Sequence, residues 1–89
     1  MKQNIIVVTG KVQGVFFRAN TRTQAKQLGL RGWVKNEPDG SVRIVAEGKS
    51  SALLQLVEWC WQGPPQAQVD DVTVSSGSVE GYVSFDIRQ

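Results

Sequence analysis

LRGWVKNEPDGSVRIVAE, residues Leu30 to Glu47, reads as two strands folded back on each other. Leu30, Gly32 and Val34 alternate with Arg31, Trp33 and Lys35. After a break, Val42, Ile44 and Ala46 alternate with Arg43, Val45 and Glu47. Successive side chains of a strand point to opposite faces, so this period-two pattern marks extended chain. Pro38-Asp39-Gly40 between the runs is turn chemistry, with proline presetting φ and the Asp carboxylate free to bond nearby backbone. The stretch is a β-hairpin.

Working outward, each side of the hairpin carries a helix and then a strand. On the N-terminal side Phe17, Thr21, Ala25 and Leu28 share one helical face, with Arg22, Lys26 and Gln27 outside and Gly29 as the stop. Asn4 to Thr9 (NIIVVT) is apolar on both faces, as a central strand is. Gly10 to Gly14 (GKVQG) is a loop by its two glycines. On the C-terminal side Leu53, Leu56, Val57 and Cys60 form the tightest helical stripe, capped by Ser50 or Ser51 and stopped by Gly63-Pro64-Pro65. Val69 to Val74 reads as a strand and Ser75 to Gly81 as a polar loop, and Val83, Phe85 and Ile87 alternate with polar residues to the end. The order β-α-β-β-α-β predicts an α+β fold, a ferredoxin-like βαββαβ sandwich. Its antiparallel sheet carries two helices on one face, by right-handed crossovers, and a short extra C-terminal strand. The length of 89 residues predicts a single domain, 1–89.

Composition narrows the chemistry. The chain has no His, which removes phosphohistidine intermediates, His-activated Ser or Cys nucleophiles and the commonest metal ligand. With Cys60 the only cysteine, no intramolecular disulfide forms, in keeping with a reducing cytoplasm. No metal-ligand spacing occurs, so no metal or other cofactor is expected. No apolar run reaches the ~20 residues of a membrane span, and a cytoplasmic monomer is expected. The formal charge is +2, but Lys2, Lys11, Arg18, Arg22, Lys26 and Arg31 all precede the first acidic residue, Glu37. Such a local surplus suits an anionic ligand, small or polymeric.

The segment Gly10 to Arg18, GKVQGVFFR, runs from a buried strand into a helix start. There, backbone N–H groups lack intrahelical partners, glycines let them curl toward one centre, and an arginine adds a planar fork of donors. Together these make an anion cradle. Taken alone, the loop does not decide between a cradle and a simple turn beside a solvated arginine. The phosphatase loop C-x5-R would need a cysteine at Val12, and the segment holds no Ser, Thr, Asp or Glu as a substitute nucleophile. Phosphate chemistry here requires direct attack by water.

Gly10-x-Val12-Gln13-Gly14-Val15-x-Phe17-Arg18 resembles the first hallmark motif of the acylphosphatase family, G-x-V-Q-G-V-x-F-R. Gly32-Trp33-Val34-Lys35-Asn36-x-x-Asp39-Gly40-x-Val42 resembles the second. Leu28-Gly29-Leu30 and Phe85-x-Ile87 also match family positions, so the resemblance covers nearly the whole chain. It implies the same fold and hydrolysis of small acyl phosphates without metal or cofactor. By position it places Arg18 and the amides of Val12, Gln13, Gly14, Val15, Phe16, Phe17 and Arg18 on the phosphoryl group, and Asn36 on the attacking water. Phe16 stands where many bacterial relatives carry Gly and animal ones carry Phe, a difference that changes loop stiffness rather than the resemblance.

Other residues read more plainly. An Asn beside a turn is most often a turn cap, Lys35 is aimed away from Asn36, and Lys11 adds only positive field. Trp33, Trp59 and Trp61 read as packing, and Cys60 as an inert core thiol. Asp70-Asp71 cannot act as a pair, since neighbouring strand residues face opposite ways. An RNA-binding module of the same element order would stack bases on aromatics in its first and third strands. Here those strands have none, and no nucleic-acid partner is expected. The alternative is a non-catalytic phosphate-sensing or interaction module. An acylphosphatase-like domain also opens larger carbamoyl-transfer maturation proteins, but an end just after the last strand points to a free-standing enzyme.

Overall fold

The hairpin forms as its alternation dictates. In the computed structural model, which describes residues 1–89, β2 (Arg31–Asn36) and β3 (Val42–Gly48) pair antiparallel with Trp33 opposite Val45 and Asn36 opposite Val42. Asp39 Oδ1 closes the turn by accepting from the Ser41 hydroxyl at 2.6 Å and the Ser41 amide at 2.9 Å. Those bonds hold the Asp39 carboxyl below its ordinary pKa. Gly32 is required by close approach, because a Cβ there would lie 1.8 Å from the Val45 carbonyl oxygen.

β1 (Lys2–Lys11) and α1 (Phe17–Gln27) precede the hairpin, and α2 (Ser50–Gln62), β4 (Gln68–Gly77) and β5 (Phe85–Arg88) follow it. The sheet order is β4-β1-β3-β2-β5. Neighbours among β4, β1, β3 and β2 pair antiparallel, and β5 joins the edge parallel to β2. Alternation identifies the faces of such a strand but carries no sign of its direction, so this parallel partner is a structural finding.

Both helices cover one face of the sheet. Phe17, Thr21 and Ala25 from α1 and Leu53, Leu56 and Cys60 from α2 pack on Ile6, Val8, Val34 and Ile44. Thr21 is buried without penalty, because its hydroxyl donates to the Phe17 carbonyl at 2.8 Å. Phe17 and Trp59 rings meet at 5.3 Å, pinning the start of α1 against α2. Trp61 stays half-exposed.

Four boundaries differ from the sequence expectation. β1 runs past Thr9 to Lys11 through a bulge between Thr9 and Gly10, so the loop is shorter and Lys11 is a strand residue. β4 continues through Ser75–Gly77, which pair with Ile5 to Gln3. An edge strand needs only backbone partners on one side, and its polar side chains hid it. Val83 precedes β5 and is exposed. Neither serine caps α2: the helix begins at Ser50 after an extended Lys49, with no side-chain cap.

The other face of the sheet holds a feature that alternation alone conceals. Glu47 is 1% exposed. Its Oε2 accepts from Gln3 Nε2 at 2.8 Å and the Glu80 amide at 2.6 Å, and its Oε1 from the Gly81 and Tyr82 amides at 3.0 and 3.2 Å. The carboxylate thereby ties down the segment leading into β5. Burial pushes its pKa up, but the bonds from Glu80, Gln3, Tyr82 and Gly81 outweigh that and hold it below the ordinary value. Trp33 donates to the Tyr82 hydroxyl at 3.1 Å, and the Arg88 guanidinium lies 4.6 Å above the Trp33 ring. No helix is long and apolar enough to cross a membrane.

Candidate active site

The loop from Val12 to Phe16 connects the end of β1 to α1. Gly14 has φ 74° and Phe16 has φ 65°, both in the left-handed region. These two reversals curl the backbone into the helix start. For a phenylalanine that conformation costs about 1–2 kcal/mol. Phe16 is the N-cap of α1 and makes no side-chain capping bond, and the first turn of α1 contains no acidic residue. No side-chain cap therefore accepts from the leading amides of the helix. The Phe16 carbonyl accepts from both the amide of Asn20 at 3.1 Å and its side-chain Nδ2 at 2.9 Å, which locks this peptide in place.

A cleft of about 310 Å³ opens over the loop and is lined by Val12, Gly14, Phe16, Phe17, Arg18 and Asn36. The two residues singled out from separate motifs thus share one site. The protein's single ion pair joins Arg43 to Glu37 at 3.8 Å, so the Arg18 guanidinium has no carboxylate partner. Asn36 sits at the end of β2 with its Oδ1 buried and unbonded. A buried orphan acceptor costs about 1–3 kcal/mol, an expense that packing alone does not explain.

Gln13 and Val15 belong to the same loop, but their side chains point elsewhere. Gln13 Nε2 donates to the carbonyls of Glu37 and Ser41 at 2.8 and 2.9 Å. One amide thereby fastens the loop to the turn that follows Asn36. Val15 is buried and lines a neighbouring groove. Ile87 and Gln89 complete the cleft wall from β5 and the residue after it. Sequence reasoning missed both. Ile87 showed strand alternation and a family match but no sign of facing the loop, and its place beside Asn36 depends on the parallel pairing of β5 with β2.

Lys11 and Lys35 do not line the cleft. No group of three or more His, Cys, Asp or Glu comes together anywhere. Cys60 is fully buried, and burial pushes its thiol up to about 12, so it carries no thiolate at neutral pH.

Fold and site together define a ferredoxin-like α+β protein whose strand-to-helix loop presents unspent donors opposite an unsatisfied amide. Comparison with known proteins makes this specific. The acylphosphatase family model matches residues 4–87. An acylphosphatase of Haloquadratum walsbyi is 51% identical over 84 residues, covering 94% of this chain and 90% of that protein. The crystal structure of acylphosphatase from Bacillus subtilis superposes with a TM-score of 0.97 at 43% identity over 100% of both chains. Full-length HypF in its phosphate- and nucleotide-bound form matches with a TM-score of 0.92 at 27% identity, covering 99% of this chain and 12% of that one. The chain belongs to the acylphosphatase family, and with it to the hydrolases.

Proposed function

We propose that this enzyme hydrolyses the carboxyl–phosphate bond of small acyl phosphates, with Arg18 and the amides of residues 12–18 on the phosphoryl group and Asn36 on the water. The water oxygen forms a bond to phosphorus as the bond from phosphorus to the acyl oxygen breaks. The products are a carboxylate and inorganic phosphate, and the two protons of the water end on the phosphate or pass from it to solvent. Asn36 cannot act as a strong base, since an amide does not ionise. That demand is small here, because a carboxylate leaves readily and the transition state is loose. Positioning and charge stabilisation then supply most of the acceleration.

The observation that supports this reading most directly is the pairing, in one cleft, of an arginine without a carboxylate and an Asn36 carboxamide whose Oδ1 is unbonded. A carboxamide accepts through oxygen and donates through nitrogen, so it can hold a water and touch a phosphoryl oxygen at once. Gln13 keeps the two halves of the site in register through the turn.

The test is hydrolysis of benzoyl phosphate by purified protein in excess EDTA, with a simple phosphate monoester as control. Fast, chelator-resistant cleavage of the anhydride alone is expected. Folded protein that leaves benzoyl phosphate intact would overturn the proposal.

A further inference from the structure

Phe16 is the one non-glycine residue of the chain with positive φ, and its side chain is 70% exposed. Those two facts sit badly together. A left-handed conformation is tolerated for a bulky residue only when something else favours it. Core packing does not, because the ring projects from the surface. Capping does not, because Phe16 offers no side-chain capping bond. Glycine would take the same φ without strain.

The position of the ring supplies a reason. Phe16 lines the cleft over the phosphate loop, together with Arg18 and Asn36. It also lines a second groove of about 180 Å³, formed with Val15, Asn20, Pro64, Pro65 and Gln66. The ring is therefore the shared wall between the two. No lining residue of the groove is charged. The Nδ2 of Asn20 is already bonded to the Phe16 carbonyl. What the groove offers a ligand is apolar surface from the Phe16 ring and the exposed Pro65, with the buried Pro64 beneath.

In an acyl phosphate the carboxyl carbon is two bonds from phosphorus. A phosphoryl group held by the loop therefore places the acyl group at the mouth of the cleft, beside Phe16. We propose that Phe16, with Pro64 and Pro65 behind it, forms the subsite for the acyl group, and that it selects neutral, apolar acyl groups, aromatic ones above all. This rests on the acyl phosphate hydrolysis proposed above. An aromatic acyl group meets the Phe16 ring and loses water from both surfaces. An acyl group with its own carboxylate finds no cation in the groove to offset its lost hydration, because the one arginine of the cleft, Arg18, is occupied by the phosphoryl group.

The experiment compares kcat/KM for benzoyl and acetyl phosphate in the wild type, Phe16→Gly and Phe16→Leu, with thermal melts to verify folding. The ratio of the two substrates is the readout, since any general loosening of the loop affects both alike and cancels. Phe16→Gly should lower the benzoyl-to-acetyl ratio by roughly tenfold, the discrimination that modest apolar contact provides. Phe16→Leu should retain most of it. An unchanged ratio in folded Phe16→Gly protein overturns the subsite while leaving the hydrolytic function standing. Failure of the wild type to cleave either substrate overturns the function and the subsite with it.

Discussion

Two places in this molecule cluster backbone N–H groups in a way that suits a negative charge, and they differ in whether the chain supplies one. On the open face of the sheet, the amides of Glu80, Gly81 and Tyr82 point at the carboxylate of Glu47. At the start of α1, the curled loop and the first helical turn offer donors that no side chain of the protein accepts, beside an arginine with no acidic partner. The local physics is the same, since clustered amides and their dipoles favour an anion. Where the chain brings its own anion, the cluster fastens one segment to another. Where it does not, the cluster is suited to something that arrives and leaves.

The sharpest way to break this contrast is at Arg18. Arg18→Ala should abolish competitive binding of inorganic phosphate and lower turnover at least ~100-fold, matching an electrostatic contribution of about 2.7–4 kcal/mol. Asn36→Ala should lower turnover as much while phosphate still inhibits. Steady-state kinetics with phosphate as inhibitor separates the two, and near-normal turnover in Asn36→Ala would remove its role on the water.

At the internal counterpart the effect belongs to stability. Glu47→Gln places an amide NH2 among N–H donors and should cost about 2 kcal/mol in urea unfolding at neutral pH. The Glu47 carboxyl has a lowered pKa in the folded state, so its contribution is present above the ordinary carboxylate range and is lost as pH falls through the folded value. Wild-type stability should therefore drop on acidification, and the drop should be shallower in Glu47→Gln. Equal acid dependence in the two proteins would deny Glu47 this role.

A smaller effect is expected at the link between the loop and the hairpin. Gln13→Ala removes two neutral hydrogen bonds and should cost about 1 kcal/mol of stability. It should lower kcat more than it weakens phosphate inhibition, because the loop amides remain while Asn36 loses its register. If inhibition and turnover fall together, Gln13 shapes the loop itself rather than its alignment with Asn36.

The same contrast explains what could be read from the residues alone. Phe17, Thr21, Ala25 and Leu53, Leu56, Cys60 declare their helices because burial on one face imposes a spacing. That Arg18 and Asn36 would come together was legible because each sits in a long motif at a fixed place relative to a turn or helix start, and they line one cleft. Glu47 was not legible. It occupies an outward position in an alternating strand, and its backbone partners lie 33 to 35 residues away, in a segment with no pattern of its own. Gln13 was legible as part of the loop, but not as its fastening, since a side chain's bond to carbonyls 24 and 28 residues away leaves no periodic trace. The extension of β4 to Gly77 was hidden for a related reason: backbone pairing with β1 stabilises it whatever its side chains are.

Cys60 gives the molecule an internal clock. It is the only thiol in the chain, sits on the core-facing side of α2 and has its pKa pushed up to about 12. A reagent that needs a thiolate can reach it only during excursions that expose the helix-covered core. Its labelling rate therefore counts core openings and is blind to fluctuations of the surface loops. With phosphate and without, that rate would measure how much occupancy of the cleft over Arg18 steadies the core on which Phe17 and Trp59 meet.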